Sequence, residues 1–149
     1  MGAGCYVAGS EQGAMYRSER VLKEIYFGND SDCLYLRLDP LLWKKVTLRI
    51  EFHGTKHSFL EFALESFGGL ATYTFTNWAG VVSQHCALAA IEVVELSVPL
   101  SLLGLDGEEV VRFQVKVLEN GLERECYPER VPVEFGLTRS DYILEHWMV

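Results

Sequence analysis

The chain has 149 residues, a length that suits one domain with its own core. Hydrophobic residues make up 49% of it and aromatic residues 12%, which excludes a disordered, highly charged chain. Its 13 Lys+Arg against 21 Asp+Glu give a formal charge of −8, which disfavours a phosphate backbone as partner, and no apolar run approaches the ~20 residues of a membrane-spanning helix.

In chain order, residues 2–13 form the loosest stretch, expected to be a partly ordered lead-in strand. Residues 1–5 show no basic region and no long apolar segment, so no signal peptide is read there. The expectation is a cytoplasmic protein or a piece of a longer chain. Residues 21–27 and 33–39 flank Gly28-Asn29-Asp30-Ser31-Asp32, turn-forming residues between two apolar runs, which predicts a hairpin. Leu34, Leu36 and Leu38 alternate with Tyr35, Arg37 and Asp39. Val46, Leu48, Ile50 and Phe52 alternate with Thr47, Arg49 and Glu51, and Leu60, Phe62 and Leu64 with Glu61 and Glu65. Successive strand side chains point to opposite faces, so each stretch predicts a strand with one wet face, as in antiparallel sheets.

Residues 91–98 break their own parity at Val93-Val94, predicting a β-bulge or a strand buried on both faces, ended by Pro99. Ser101-Leu102-Leu103-Gly104-Leu105 predicts one short helical turn closed by glycine. Val111, Phe113, Val115 and Val117 alternate with Arg112, Gln114 and Lys116. Asn120-Gly121 then predicts a tight hairpin with residues 122–127, because both positions tolerate positive φ. Residues 139–147 have room for a turn of helix. Eight to ten short strands separated by turn signals predict an all-β fold, an antiparallel β-sandwich of jelly-roll, immunoglobulin-like or carbohydrate-binding-module type, filling residues 1–149 as one domain.

Motifs for chemistry are sparse. A nucleophile elbow, a phosphate loop and a dinucleotide fingerprint are absent from the sequence. Glu51, Glu61, Glu65 and Glu95 fall on the wet faces of strands, where solvated carboxylates are ordinary. His53 and His57 have the i, i+4 spacing of a zinc pair, but Gly54-Thr55 make the stretch between them a turn, so two exposed loop histidines are expected. Asn29, Asp30 and Asp32 are a weak calcium candidate, lacking a regular calcium-loop pattern and a distal Glu. The cysteines at 5, 33, 86 and 126 are too far apart in sequence for zinc-type pairing and are expected to be small half-buried thiols. No resident cofactor or metal is expected.

The aromatic residues carry the functional expectation. Trp43, Trp78, Trp147, Tyr16, Tyr73 and Tyr127 lie at strand ends or in loops. Flat rings stack on the apolar face of a sugar while a polar edge keeps its contact with water. Trp78, in Thr76-Asn77-Trp78-Ala79-Gly80, is the first candidate platform, with Trp43 and Tyr73 beside it. The alternative for each is a partly buried core plug.

Several segments together resemble a known family: Gly13-Ala14-Met15-Tyr16, then Val21-Leu22-Lys23-Glu24-Ile25-Tyr26-Phe27-Gly28-Asn29-Asp30, then Leu34-Tyr35-Leu36-Arg37-Leu38-Asp39. With Ser97-Val98-Pro99-Leu100-Ser101-Leu102-Leu103-Gly104-Leu105, Tyr127-Pro128 and Trp147-Met148-Val149, they look like the C-terminal β-domain of glycoside hydrolase family 57, the bacterial α-amylase-like enzymes. The Leu-Tyr-Leu hairpin is also similar to family-9-type carbohydrate-binding modules and the related DOMON sandwiches. The resemblance implies a non-catalytic accessory module, because such enzymes carry their catalytic carboxylates on a separate barrel. It implies an α-glucan and an upstream catalytic domain as partners. Two alternatives stay open. One is a structural domain packing on that catalytic barrel, with residues 13–16 as a contact. The other is a DOMON-like pocket for haem, with Met15 and His85 as axial ligands.

Overall fold

The computed structural model describes residues 3–7, 20–41, 44–54, 56–64, 70–71, 73–77, 80–82, 88–90, 93–105 and 110–137. Among them are thirteen strands: β1 (Ala3–Val7), β2 (Leu22–Asn29), β3 (Cys33–Pro40), β4 (Val46–His53), β5 (Ser58–Leu64), β6 (Leu70–Ala71), β7 (Thr74–Asn77), β8 (Gly80–Val82), β9 (Leu88–Ala90), β10 (Val94–Pro99), β11 (Val110–Glu119), β12 (Leu122–Tyr127) and β13 (Val133–Gly136). They form two antiparallel sheets packed together as a β-sandwich. The first sheet runs β1-β2-β3-β10-β9-β6. The second runs β12-β11-β4-β5-β7-β8, and β13 shares the outer edge of the long strand β11 with β12.

Alternation decides which face is buried. Leu34, Leu36 and Leu38 of β3 and Val94 and Val98 of β10 turn inward from the first sheet. Leu48 and Ile50 of β4, Leu60 and Leu64 of β5, and Val111, Phe113, Val115 and Val117 of β11 turn inward from the second. Aromatic rings join the layers. Phe27 of β2 meets Phe113 of β11 edge-on at 5.7 Å between centroids and lies 4.8 Å from Phe135 of β13. Polar groups tie the sheets together as well. The Val21 amide, just ahead of β2, donates to Glu125 Oε1 at 3.0 Å and to the Tyr127 hydroxyl at 3.2 Å on β12, and Tyr127 itself donates to Glu125.

The turns follow their residue types. Asn120 and Gly121 both adopt positive φ, 55° and 80°, as a tight hairpin between β11 and β12 requires. The 3-10 turn Leu100–Leu102 follows Pro99 directly, and Gly104 has φ 61° just beyond it. The parity shift at Val93-Val94 is a strand boundary rather than a bulge. β10 begins at Val94 and alternates regularly from there, and its pairings with β3 and β9 are unbroken. The register shifts lie elsewhere, between Leu22 and Glu24 of β2 and between Val117 and Leu118 of β11. At the first of these, Val21 and Leu22 are neighbours in sequence yet both fully buried.

Gly4 marks how closely β1 lies on the core. It pairs with Phe27, and a Cβ at this position would stand 2.6 Å from Cζ and 2.9 Å from Cε2 of that ring. Phe113 and Phe135 hold the ring in place, so it has little freedom to yield. Gly4→Ala is therefore expected to lower stability by about 2 kcal/mol through overpacking, read as a lower urea midpoint at unchanged slope.

Candidate functional site

The outer face of the second sheet carries a concentration of paired polar groups, built by the register of three strands. On β4 the outward positions are Thr47, Arg49, Glu51 and His53. Glu51 pairs with Gln114 of β11 on one side and with Phe59 of β5 on the other, while Arg49 pairs with Lys116 and Glu61. Residues far apart in sequence thus meet on one surface.

Glu51 is the centre. Only 7% of it is exposed, although it points away from the core. Lys116 Nζ lies 3.0 Å from its Oε1, Arg49 Nη1 3.7 Å from its Oε2, and His57 Nε2 4.0 Å from its Oε1. The ordinary solvated carboxylate expected at this position is thus a covered one. Long neighbouring side chains close over it, and alternation reports the face of a strand but not what lies across that face. Arg49 also binds Glu61 Oε2 at 2.6 Å and places its guanidinium 4.5 Å from the centre of the Phe59 ring. Lys116 reaches Glu123 Oε1 at 3.4 Å as a second partner. Burial works against the charge on Lys116, but Glu51 and Glu123 outweigh it and hold its pKa above the usual lysine value.

The two histidines come together at one end of this face. His53 closes β4 and His57 immediately precedes β5, so the hairpin connection folds them toward each other, with ring centroids 5.4 Å apart. His57 is the exposed loop histidine expected, whereas His53 is a half-buried strand residue. The antiparallel pairing of β4 with β5 brings them together without a helix. His53 Nε2 lies 2.9 Å from Gln114 Oε1, and Gln114 Nε2 donates to the Pro128 carbonyl at 2.9 Å. The Cys126 thiol donates to the same carbonyl at 3.3 Å, and burial followed by Glu123 pushes its pKa up to about 11, which makes it a poor thiolate. A shallow pocket beside His53, bordered by Lys56 and Leu105, has a volume of about 10 Å³, room for roughly one water.

Other expected site residues are placed differently. Tyr73 is 4% exposed, belongs to the core, and donates its hydroxyl to the Ser97 carbonyl at 2.9 Å, so its ring offers no face to a sugar. It is the core plug of the two readings, buried body with the hydroxyl paired. The calcium candidate is a turn. Asp30 Oδ1 accepts the amides of Asp32 and Cys33 at 2.8 and 2.7 Å, its Oδ2 accepts the Tyr35 hydroxyl at 2.7 Å, and buried Asn29 donates to the Asp30 carbonyl. Both oxygens of Asp30 thus hold the chain rather than facing an ion. Cys5, Cys33 and Cys126 are thiols, not disulfides. Trp43, Trp78, Trp147, Met15, His85 and Cys86 lie outside the described residues, as do residues 13–16 and 139–147.

Gln114 and Lys116 show in the sequence only as the polar half of an alternation, and Cys126 only as one of four expected half-buried thiols, which it is. Only the pairing of β11 with β4 and β12 makes them a site, and register between distant strands leaves no local signal. No family model matches the chain, no curated protein matches it, and no solved structure matches it.

Proposed function

We propose that the chain is a non-catalytic carbohydrate-binding module that takes an α-glucan on the outer face of the second sheet, as an accessory to a glycoside hydrolase. The observation that supports this reading is the row Glu61–Arg49–Glu51–Lys116, with Gln114 beside it and the Phe59 ring beneath the Arg49 guanidinium. Sugar hydroxyls both donate and accept, so a surface offering carboxylates, cations and an amide side by side suits them. A ring capped by a planar guanidinium adds a flat, partly apolar element. The carboxylates of the row are engaged with arginine or lysine, an arrangement suited to orienting hydroxyls rather than exchanging protons. The α-glucan and the parent enzyme rest on the sequence resemblance. The packing-domain alternative calls for a contiguous apolar patch beyond a few hundred Å². Among the described residues the exposed large apolar side chains are Val7, Leu41, Leu122 and Val131, each from a different segment.

Affinity electrophoresis through gels containing soluble starch tests the proposal. The wild-type chain is expected to be retarded, and Glu61→Gln, which replaces a charged hydrogen-bonding partner, to bind about tenfold more weakly. Trp78→Ala is expected to reduce retardation further. Equal mobility with and without starch would overturn the proposal.

A further inference from the structure

We propose that Glu51, His53 and His57 form a binding site for one divalent transition cation of the zinc type. One carboxylate and two imidazoles are the donor set of an open zinc site, leaving a fourth position for water or a ligand. Here one ligand atom from each residue lies within 4.8 Å of the others. Tetrahedral zinc at bond lengths of about 2.0–2.1 Å needs ligand atoms roughly 3.4 Å apart, so a modest contraction completes the set. His57 can supply it: its side chain is 54% exposed and sits on the hairpin connection rather than within a strand.

A second observation points the same way. Gln114 Nε2 is held by the Pro128 carbonyl, which turns Oε1 of the same amide toward His53 Nε2 at 2.9 Å. An amide oxygen only accepts, so a neutral His53 ring paired with it donates from Nε2 and leaves the lone pair on Nδ1. Fixing one ring nitrogen by a hydrogen bond so that the other is available is how ligating histidines are oriented. Lys116 is the obstacle, at 3.0 Å from Glu51 Oε1, and its second partner Glu123 gives it a place to turn when a cation arrives.

The site does not rest on the carbohydrate reading, and its test uses metal alone. Cobalt(II) titration of the full chain, followed by competition with zinc, is expected to show one ion per chain. The visible bands should lack thiolate charge transfer, and zinc should abolish them. His57→Gln, at an exposed position that leaves the fold intact, is expected to remove the bands. Gln114→Ala should weaken binding by about 10–100-fold, as loss of an orienting partner does. Lys116→Gln should tighten it, because the competing cation is gone. Absence of bands at millimolar cobalt, unchanged binding by His57→Gln, or a thiolate spectrum would each overturn the proposal.

Discussion

Phe113→Ala is expected to lower the free energy of unfolding by about 3–5 kcal/mol, the largest effect of any single truncation proposed for this chain. Phe113 is fully buried at the middle of β11, the strand that pairs with β4, β12 and β13. Its ring is edge-on to Phe27 of the opposite sheet at 5.7 Å, near-perpendicular to Phe135 at 6.3 Å and tilted against Phe52 at 6.5 Å. Removing it opens a cavity at the junction of the two layers. The neighbours are rings on paired strands, which collapse poorly into such a space, so the cavity contribution persists. Urea unfolding followed by tryptophan fluorescence measures the loss. Phe113→Leu, which fills most of the volume, is expected to cost much less. A loss below about 1 kcal/mol for Phe113→Ala would contradict the inter-sheet packing.

Asp30→Ala is expected to cost about 3 kcal/mol, the second large effect. A single carboxylate there satisfies two backbone amides and the Tyr35 hydroxyl, closing the turn between β2 and β3. Partial burial pushes the Asp30 pKa up, but the hydrogen bonds from Tyr35, Cys33 and Asp32 outweigh it, and the net pKa falls below the ordinary value of 3.8. A carboxyl whose pKa is depressed by folding stabilises the fold above its unfolded value. That contribution disappears as pH falls through the lower, folded value. The wild-type chain should therefore lose stability below about pH 4 in part through this group, and Asp30→Asn should show a shallower acid limb. Parallel urea titrations at several acidic pH values check this. Identical acid limbs for the two proteins would assign the acid sensitivity elsewhere.

The strands were legible in the sequence because alternation is a direct consequence of strand geometry. Residues 46–53 and 110–119 announce their inward faces, and Asn120-Gly121 announces its turn. Legibility fails where the deciding partner is distant. Tyr73 reads equally as a loop platform or a core plug until Ser97 is seen to accept its hydroxyl. Val21, just ahead of β2, and Leu22 are buried side by side, and the register shift that follows between Leu22 and Glu24 leaves no local signal. Glu51 looks like any wet-face acid, since nothing in residues 46–53 shows that Lys116 closes over it. His53 and His57 have helical spacing in the sequence, whereas an antiparallel strand pair brings them together.

An amide chemical-shift titration with a soluble malto-oligosaccharide tests most directly whether the polar surface around Glu51 is the working face of the molecule. Saturable shifts are expected at Arg49, Glu51, Phe59, Glu61, Gln114 and Lys116, with the outward positions of the first sheet unmoved. No shifts, or shifts confined to the first sheet, would contradict that assignment.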